Sequence, residues 1–196
     1  MNKRTDIFYN KFSIIYPLVD LFLKPQKAKL FKEINSYPSG KVLEVGVGHG
    51  NHLKFYKNHK VTGIDISLKM LEIAKQKNSP HIELLQMNGE SLSFNAHSFD
   101  YIILSHIISV VDNPEKLLDE TYRVLKPDGK IFILNHFTPN NWLKYVDRSF
   151  NSMSKYFHFK SVFRINYLKT IKKFTLLKEI SYNPFSYFKL LIYKKA

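Results

Sequence analysis

The chain has 196 residues, enough for one domain with a substantial core, and its 44% hydrophobic and 15% aromatic content argues against disorder. It has no cysteine, which removes disulfides, thiolate catalysis and cysteine-based zinc sites and fits a reducing cytoplasm. The formal net charge of +14 sits in the flanks: residues 1–33 carry +4, residues 141–196 carry +10, and residues 34–140 balance 11 basic against 11 acidic side chains. Basic ends around a neutral middle point to an anionic partner, either a membrane surface or a nucleic acid.

In chain order, "FSIIYPLVDLFL" (12–23) comes first. Like "YIILSHIISVV" (101–111), it falls short of the ~20 residues a membrane span needs. Pro17 and Asp20 interrupt it and no small-residue cleavage site follows, so it is not read as a signal peptide. Phe8, Phe12, Ile15, Val19 and Phe22 recur at spacings of four and three, which predicts one helical face. Lys3, Arg4, Lys11, Lys24, Lys27 and Lys29 surround that face.

"KVLEV" (41–45) reads as a buried strand, "NHLKFYKN" (51–58) as a short helix and "KVTGIDI" (60–66) as a second strand. "LKMLEIAKQK" (68–77) is a helix with Ser67 as N-cap. "HIELLQM" (81–87) and "FDYIILS" (99–105) are strands, the latter apolar throughout as in a sheet covered on both faces. "NPEKLLDETYRVL" (113–125) is a helix with Pro114 in its first turn, "KPDG" a turn, and "KIFILNHF" (130–137) a fifth strand. Alternating strands and helices predict a parallel, doubly wound sheet. At the end, "KFTLLKEISYN" (173–183) and "SYFKLLIYKK" (186–195) are joined by "NPFS", a turn so short that the two strands must be antiparallel.

The first strand runs into Gly46-Val47-Gly48-His49-Gly50. Glycines there allow unusual backbone angles and let a ligand lie against the main chain. Asp65 ends the next strand, 19 residues after Gly46, the usual place for an acid that binds ribose hydroxyls. The spacing is G-x-G-x-G, so no pyrophosphate need be cradled, and no Lys-Ser/Thr follows, so it is not a P-loop.

Together "VLEVGVGHG", "VTGIDIS", "SFDYIILSHIISVVDNP", "RVLKPDGKIFILNH" and the terminal hairpin resemble the class I S-adenosylmethionine-dependent methyltransferases, closely over roughly residues 38–137. The resemblance implies an α/β fold: a Rossmann-like, doubly wound, seven-stranded sheet, mostly parallel with an antiparallel C-terminal strand. It implies S-adenosyl-L-methionine as cofactor. Glu44 would position the methionine amino group, and Gly46, Gly48 and Gly50 would line the cofactor. Asp65 would hold the ribose and Ile66 would pack on the adenine. Asn88 stands where the family often has an Asp bonding the adenine amino group, with Gly89 and Glu90 flanking it. Ser105 and His106 would lie over the methyl donor, and His49 is read as a loop residue rather than a base.

A narrower resemblance is to the small bacterial phosphatidylethanolamine N-methyltransferases. "VGVGHG…VTGIDIS", "SHIISVVDNPEKLLDE" and "ILNHF" carry it. "FYNKFSIIYPLVDLFL" is similar to that group's opening Y-D-x-x-A-x-x-Y-D segment, with Asn10 and Pro17 in place of the two acids. Tyr9 and Tyr16 match the tyrosines that cover the methionine end. A second apolar stripe, Trp142, Tyr145/Val146, Phe150, Met153 and Phe157, has Lys144, Arg148 and Lys155 nearby. Apolar-plus-basic helices of this kind either lie in an anionic bilayer interface or pack on their own domain.

Methylating an amine requires removal of its proton, and His106 or His136 is expected to take it. Asn135 or Tyr9 would orient the head group, and Arg148 or Arg164 would grip the lipid phosphate. No histidine spacing demands a metal. The expected organisation is one domain, with an amphipathic segment over 1–35, a cofactor core over 38–137, a helical insertion over 138–172 and the hairpin over 173–195. The expected function is stepwise methylation of a phosphatidylethanolamine amine by a cytoplasmic protein at the inner membrane face. The alternatives are an RNA, small-molecule or quinone methyltransferase of the same fold. The N/D-P-P-Y/F turn of many amino-directed nucleic-acid methylases is missing, since the fourth strand ends in "SHII". A peripheral membrane protein that keeps the fold without catalysis is opposed by the intact glycine loop.

Overall fold

A computed structural model describes residues 26–77, 82–137, 165–182 and 188–196. Helix α1 covers residues 26–34. Then follow β1 (Lys41–Val45), a single 3-10 turn (Leu53–Phe55), β2 (Lys60–Asp65), α2 (Leu68–Gln76), β3 (Ile82–Gln86) and β4 (Phe99–Ser105). The chain continues through α3 (Pro114–Val124), β5 (Leu125–His136), β6 (Phe174–Ser181) and β7 (Phe188–Lys195). The seven strands form one sheet in the order β3-β2-β1-β4-β5-β7-β6. Strands β1 to β5 are parallel, and β7 runs antiparallel to both β5 and β6. This is the expected α/β sheet. The reversed strand is not at the edge, however: β7 slots between β5 and β6, and β6 forms the rim.

Alternation explains the continuous apolar strands, because side chains of each strand leave it on both faces and both faces are covered. On one face Leu43, Val45, Ile102, Leu104, Ile131 and Ile133 pack with Leu117 and Leu118 of α3. On the other Val42, Ile103, Phe132 and Leu134 pack with Leu30, Phe31 and Ile34 of α1. Val47, Leu71 and Ala74 form a smaller cluster beside the first loop. The helix starts are those the sequence announces. Ser67 Oγ accepts from the Met70 N–H at 3.3 Å, and Asn113 Oδ1 accepts from the Lys116 N–H at 3.1 Å with Pro114 in the first turn.

Two local readings are corrected. The expected helix over 51–58 is only the 3-10 turn, with no side-chain cap and an extended Tyr56 after it. His52 and Tyr56, either side of that turn, both bond Glu44. The fifth strand begins at Leu125, not at residue 130: "KPDG" is a bulge within it, where Asp128 takes φ +60°. The stripes Phe8–Phe22 and Trp142–Phe157 and the "NPFS" turn lie outside the described residues.

Four of the described C-terminal lysines are paired, three with acids of the body and one with Glu179 of β6. Lys173 pairs with Asp119, Lys178 with Glu33, Lys189 with Glu179 and Lys194 with Asp128, at 2.6–3.0 Å. Glu115 accepts the backbone N–H groups of Lys169 and Thr170, and Asp119 accepts from Thr170 Oγ1, so α3 holds the segment leading into β6.

Lys195 is the exception, being 6% exposed. Its Nζ donates to the carbonyls of Tyr122 and Leu125 at 2.6 and 2.8 Å and lies 4.3 Å from the Tyr122 ring centre. It thus satisfies carbonyls at the end of α3 that helical geometry leaves open. Lys195→Met keeps the apolar stem and removes the donors. It should cost about 1–3 kcal/mol, a fall of roughly 2–12 °C in melting temperature by calorimetry. An unchanged melting temperature would show that those carbonyls do not depend on the ammonium.

Candidate active site

The strands β1, β2, β4 and β5 all release their chains on one side of the sheet, where open α/β sheets bind ligands. After β1, Gly46, Gly48 and Gly50 take φ of +77°, +55° and +69°. Only glycine adopts such angles without strain. Space is also lacking at Gly46, where a Cβ would come within 2.9 Å of the Ile107 side chain. The turn is held from β2: the N–H groups of Gly46 and Val47 donate to the Ile64 carbonyl at 2.8 and 3.1 Å.

Asp65 ends β2 and faces this loop. Its Oδ2 accepts from the Gly48 N–H at 2.8 Å and its Oδ1 from the Ser67 N–H at 2.9 Å. Burial pushes its carboxyl up, against the backbone N–H groups of Ser67, Gly48 and Ile66, which favour the charge. Ile66 follows, half-buried, its carbonyl accepting from Gln86 Nε2.

After β3, Asn88 Oδ1 accepts from the Glu90 N–H at 2.9 Å, and Glu90 Oε1 accepts from the Asn113 N–H at 2.9 Å. The loop is thereby tied to the start of α3. Gly89 is a packing glycine: a Cβ there would meet Val45 at 2.6 Å and Leu117 at 3.0 Å.

After β4, Ser105 Oγ is buried with no hydrogen-bond partner among the described residues. His106 turns out of the strand at φ +58°, its N–H bonded to the Leu134 carbonyl and its ring edge-on to Phe188 at 5.6 Å. A non-glycine residue in that region is uncommon and draws attention to the site. His136 ends β5, is 9% exposed and stands in register with Phe188 of β7. His106 and His136 thus share the junction of β4, β5 and β7. Asn135 leaves β5 on the opposite face. It is fully buried, accepts from Ser109 Oγ at 3.2 Å and donates to the His136 carbonyl at 2.9 Å, so it ties the strand end to the loop after β4. Tyr9, Tyr16, Arg148 and Arg164 lie outside the described residues.

Glu44 is 1% exposed, on the α1 face of β1. Its Oε1 accepts from His52 Nε2 at 2.7 Å and its Oε2 from Tyr56 O–H at 2.7 Å. Burial raises the Glu44 carboxyl, but His52, the Tyr56 hydroxyl and Lys27 outweigh it and hold the group below the ordinary value. Burial, then Glu44, pushes the Tyr56 phenol well up.

Residues 43–133 match the family described as "Methyltransferase domain". The matched stretch contains the glycine loop, Asp65, Asn88 and His106, and stops short of Asn135 and His136. Over 104 residues the chain is 41% identical to a phosphatidylethanolamine N-methyltransferase of Cereibacter sphaeroides, covering 50% of this chain and 51% of that one. Over 118 residues it is 34% identical to a ubiquinone/menaquinone biosynthesis C-methyltransferase of Geotalea daltonii, covering 55% and 50%. The chain thus spans about half the length of these relatives. A Thermotoga maritima structure described as an SAM-dependent methyltransferase, possible histamine N-methyltransferase, shares the fold at a TM-score of 0.75 and 20% identity, covering 96% and 99%. Among the described residues no group of three or more His, Asp or Glu is placed to hold a metal, and no helix is long and apolar enough to cross a membrane.

Lys27, His52, Tyr56 and Glu90 of this site were not singled out as positioning groups by sequence reasoning. The available signal was His52 and Tyr56 four apart, directly after a glycine loop that begins with a buried acid.

The Glu44 pairing has a definite sign. Its folded carboxyl sits below the ordinary value of 4.5, so its stabilisation is complete above that pH and is lost as pH falls through the depressed value. Glu44→Gln should lower the neutral-pH stability by about 3 kcal/mol and flatten the acid limb of melting temperature against pH. An acid limb as steep as the parent's would rule out this linkage.

Proposed function

We propose that the protein is an S-adenosyl-L-methionine-dependent methyltransferase. The observation that carries this is the left-handed glycine loop closed by Asp65, within a methyltransferase domain. The residues fit the cofactor. The loop backbone has no room for added side chains at Gly46, Asp65 is buried without a counter-charge among its bonded groups, and Ser105 Oγ is buried without a donor or acceptor. Donors on a ribose would meet the need of Asp65, which N–H groups alone leave with a raised pKa. Asn88 and Ile66 would bracket the adenine, and Gly89 keeps the floor there low. When bound, the cofactor supplies an electrophilic methyl group.

The chain's part in the transfer is placement and proton handling. An acceptor held in line at the ends of β4 and β5 gains mostly from positioning. An amine must arrive without its proton, and His106 or His136 takes it on a ring nitrogen.

For the acceptor we favour the amine of phosphatidylethanolamine and its partly methylated forms, at a cytoplasmic membrane surface. The identity to the Cereibacter sphaeroides protein supports this, as do the basic flanks with their apolar stripes. On this reading Tyr9 and Tyr16 cover the methionine end, and Arg148 or Arg164 meets the lipid phosphate. The second reading, methylation of a quinone ring carbon, rests on the identity to the Geotalea daltonii protein.

Incubation with labelled cofactor and liposomes holding both phosphatidylethanolamine and demethylmenaquinone separates the readings. Label in the phospholipid supports the first, label in the quinone replaces it with the second, and label in neither overturns both. Asp65→Ala should weaken cofactor binding by roughly a hundredfold, as expected for two charge-assisted bonds of about 1.5 kcal/mol each. In the parent, affinity should weaken as pH falls through the raised Asp65 pKa, because ribose donors favour the carboxylate. Calorimetric titration at several pH values reads both, and normal affinity in Asp65→Ala would sink the ribose role. Replacing His106 and His136 should cut turnover by about a hundredfold or more with cofactor affinity kept.

A further inference from the structure

Beneath the glycine loop lies a buried polar chain that methyl transfer does not use. Lys27 of α1 and His52 are 7% and 6% exposed, and Glu44 is 1% exposed. Lys27 Nζ lies 3.4 Å from His52 Nδ1, and His52 Nε2 lies 2.7 Å from Glu44 Oε1. An ammonium only donates and a carboxylate only accepts, which fixes the order. Lys27 donates to Nδ1, the ring carries its proton on Nε2, and Nε2 donates to Glu44. An imidazolium would set an N–H against the ammonium. The ring therefore links a cation on α1 to an anion on β1, and Tyr56 O–H completes the carboxylate. Phe31 of α1 closes the apolar side, 5.7 Å from the His52 ring and 4.9 Å from that of Tyr56.

The placement of this chain matters more than its charge. Glu44 stands two residues before Gly46, and His52 two residues after Gly50. Their bond therefore staples the two ends of the glycine loop together, and Lys27 pins the staple to α1. Burying two charged groups costs free energy that well-packed apolar side chains would not. The loop is also held from β2 by the Ile64 carbonyl and Asp65, and the staple joins its two ends from the α1 side.

We propose that Lys27 and His52 are positioning residues of the cofactor site, coupling the docking of α1 to the shape of the glycine loop. The inference rests on the cofactor reading above. The coupling is reciprocal: what tightens the loop must tighten α1, and the reverse. In sequence, α1 follows the basic residues 1–25. An event that displaces that flank would thus be felt at the cofactor.

The full-length chain tests this by calorimetric titration with S-adenosylmethionine, alongside melting curves, for the parent, Lys27→Met, Lys27→Arg, His52→Gln and the Lys27→Met/His52→Gln double variant. Lys27→Met should weaken binding about tenfold, within the range of site-to-site couplings, and Lys27→Arg should restore most of it. The double variant should bind no more than about twofold worse than His52→Gln, as expected for residues acting through one another. In the unmodified chain, cofactor should raise hydrogen-exchange protection over residues 26–34. Parent-like affinity in Lys27→Met, multiplying losses in the double variant, or unchanged exchange over 26–34 would each overturn the coupling. Should His52→Gln not fold, the Lys27 pair and the exchange experiment decide alone. A parent that binds no cofactor overturns the cofactor reading itself, and this inference falls with it.

Discussion

Between Gly46 and Gly50 the chain makes three left-handed steps with two buried carboxylates beside it, and the rest of the site is arranged around that turn. The carboxylates are electrostatic opposites. Glu44 meets the His52 ring, backed by a lysine, and a phenol; its charge is satisfied and its pKa is depressed. Asp65 has only backbone N–H groups around it, and burial wins, so its pKa is raised. Both face one loop from neighbouring strands, so fold alone does not set the difference. The group that already has its partners is structural. The group that still lacks a full set is the one a ligand can complete.

The same logic applies to the basic flanks. Much of the described C-terminal charge is met by Glu33, Asp119, Asp128 and Glu179, and Lys195 is used as a helix-end donor. These exposed pairs are each worth about 0–1 kcal/mol. Their larger consequence is that the hairpin is not a free cationic surface. Residues 1–25 and 138–164, which hold both apolar stripes, carry +2 and +4. The case for an anionic surface therefore rests on those segments and not on β6 and β7.

The parallel sheet, the two capped helices and the reversed last strand were legible because each has a local cause in sequence: alternation, a cap residue, a short turn. The glycine loop and Asp65 were legible for the same reason, being a motif five residues wide and an acid at a fixed distance. What was missed depends on contacts between distant residues. Lys27 read as one of several flank lysines, since nothing local says that it turns inward. The 51–58 stretch carried only a weak helical pattern without a cap residue, and it forms a single 3-10 turn. Asn135 read as a head-group ligand from its place at a strand end. Which face a residue takes there depends on register, and register put it with Ser109 in the interior.

Methyl transfer to a nitrogen and to a carbon require the same donor geometry: an in-line approach to one methyl group. A single fold half can therefore serve both, and the relatives named for each acceptor atom match about half of this chain. Where that half ends, β7 enters between β5 and β6, bringing Phe188 against His106 and into register with His136. Before the reversed strand is added, the ends of β4 and β5 form an open edge. With it, Phe188 lies against His106 at that edge, while the hydrogen bonds on the N–H groups of Gly46, Val47 and Gly48 run to Ile64 and Asp65 of β2, so the glycine turn and this junction are built on different strands of one sheet.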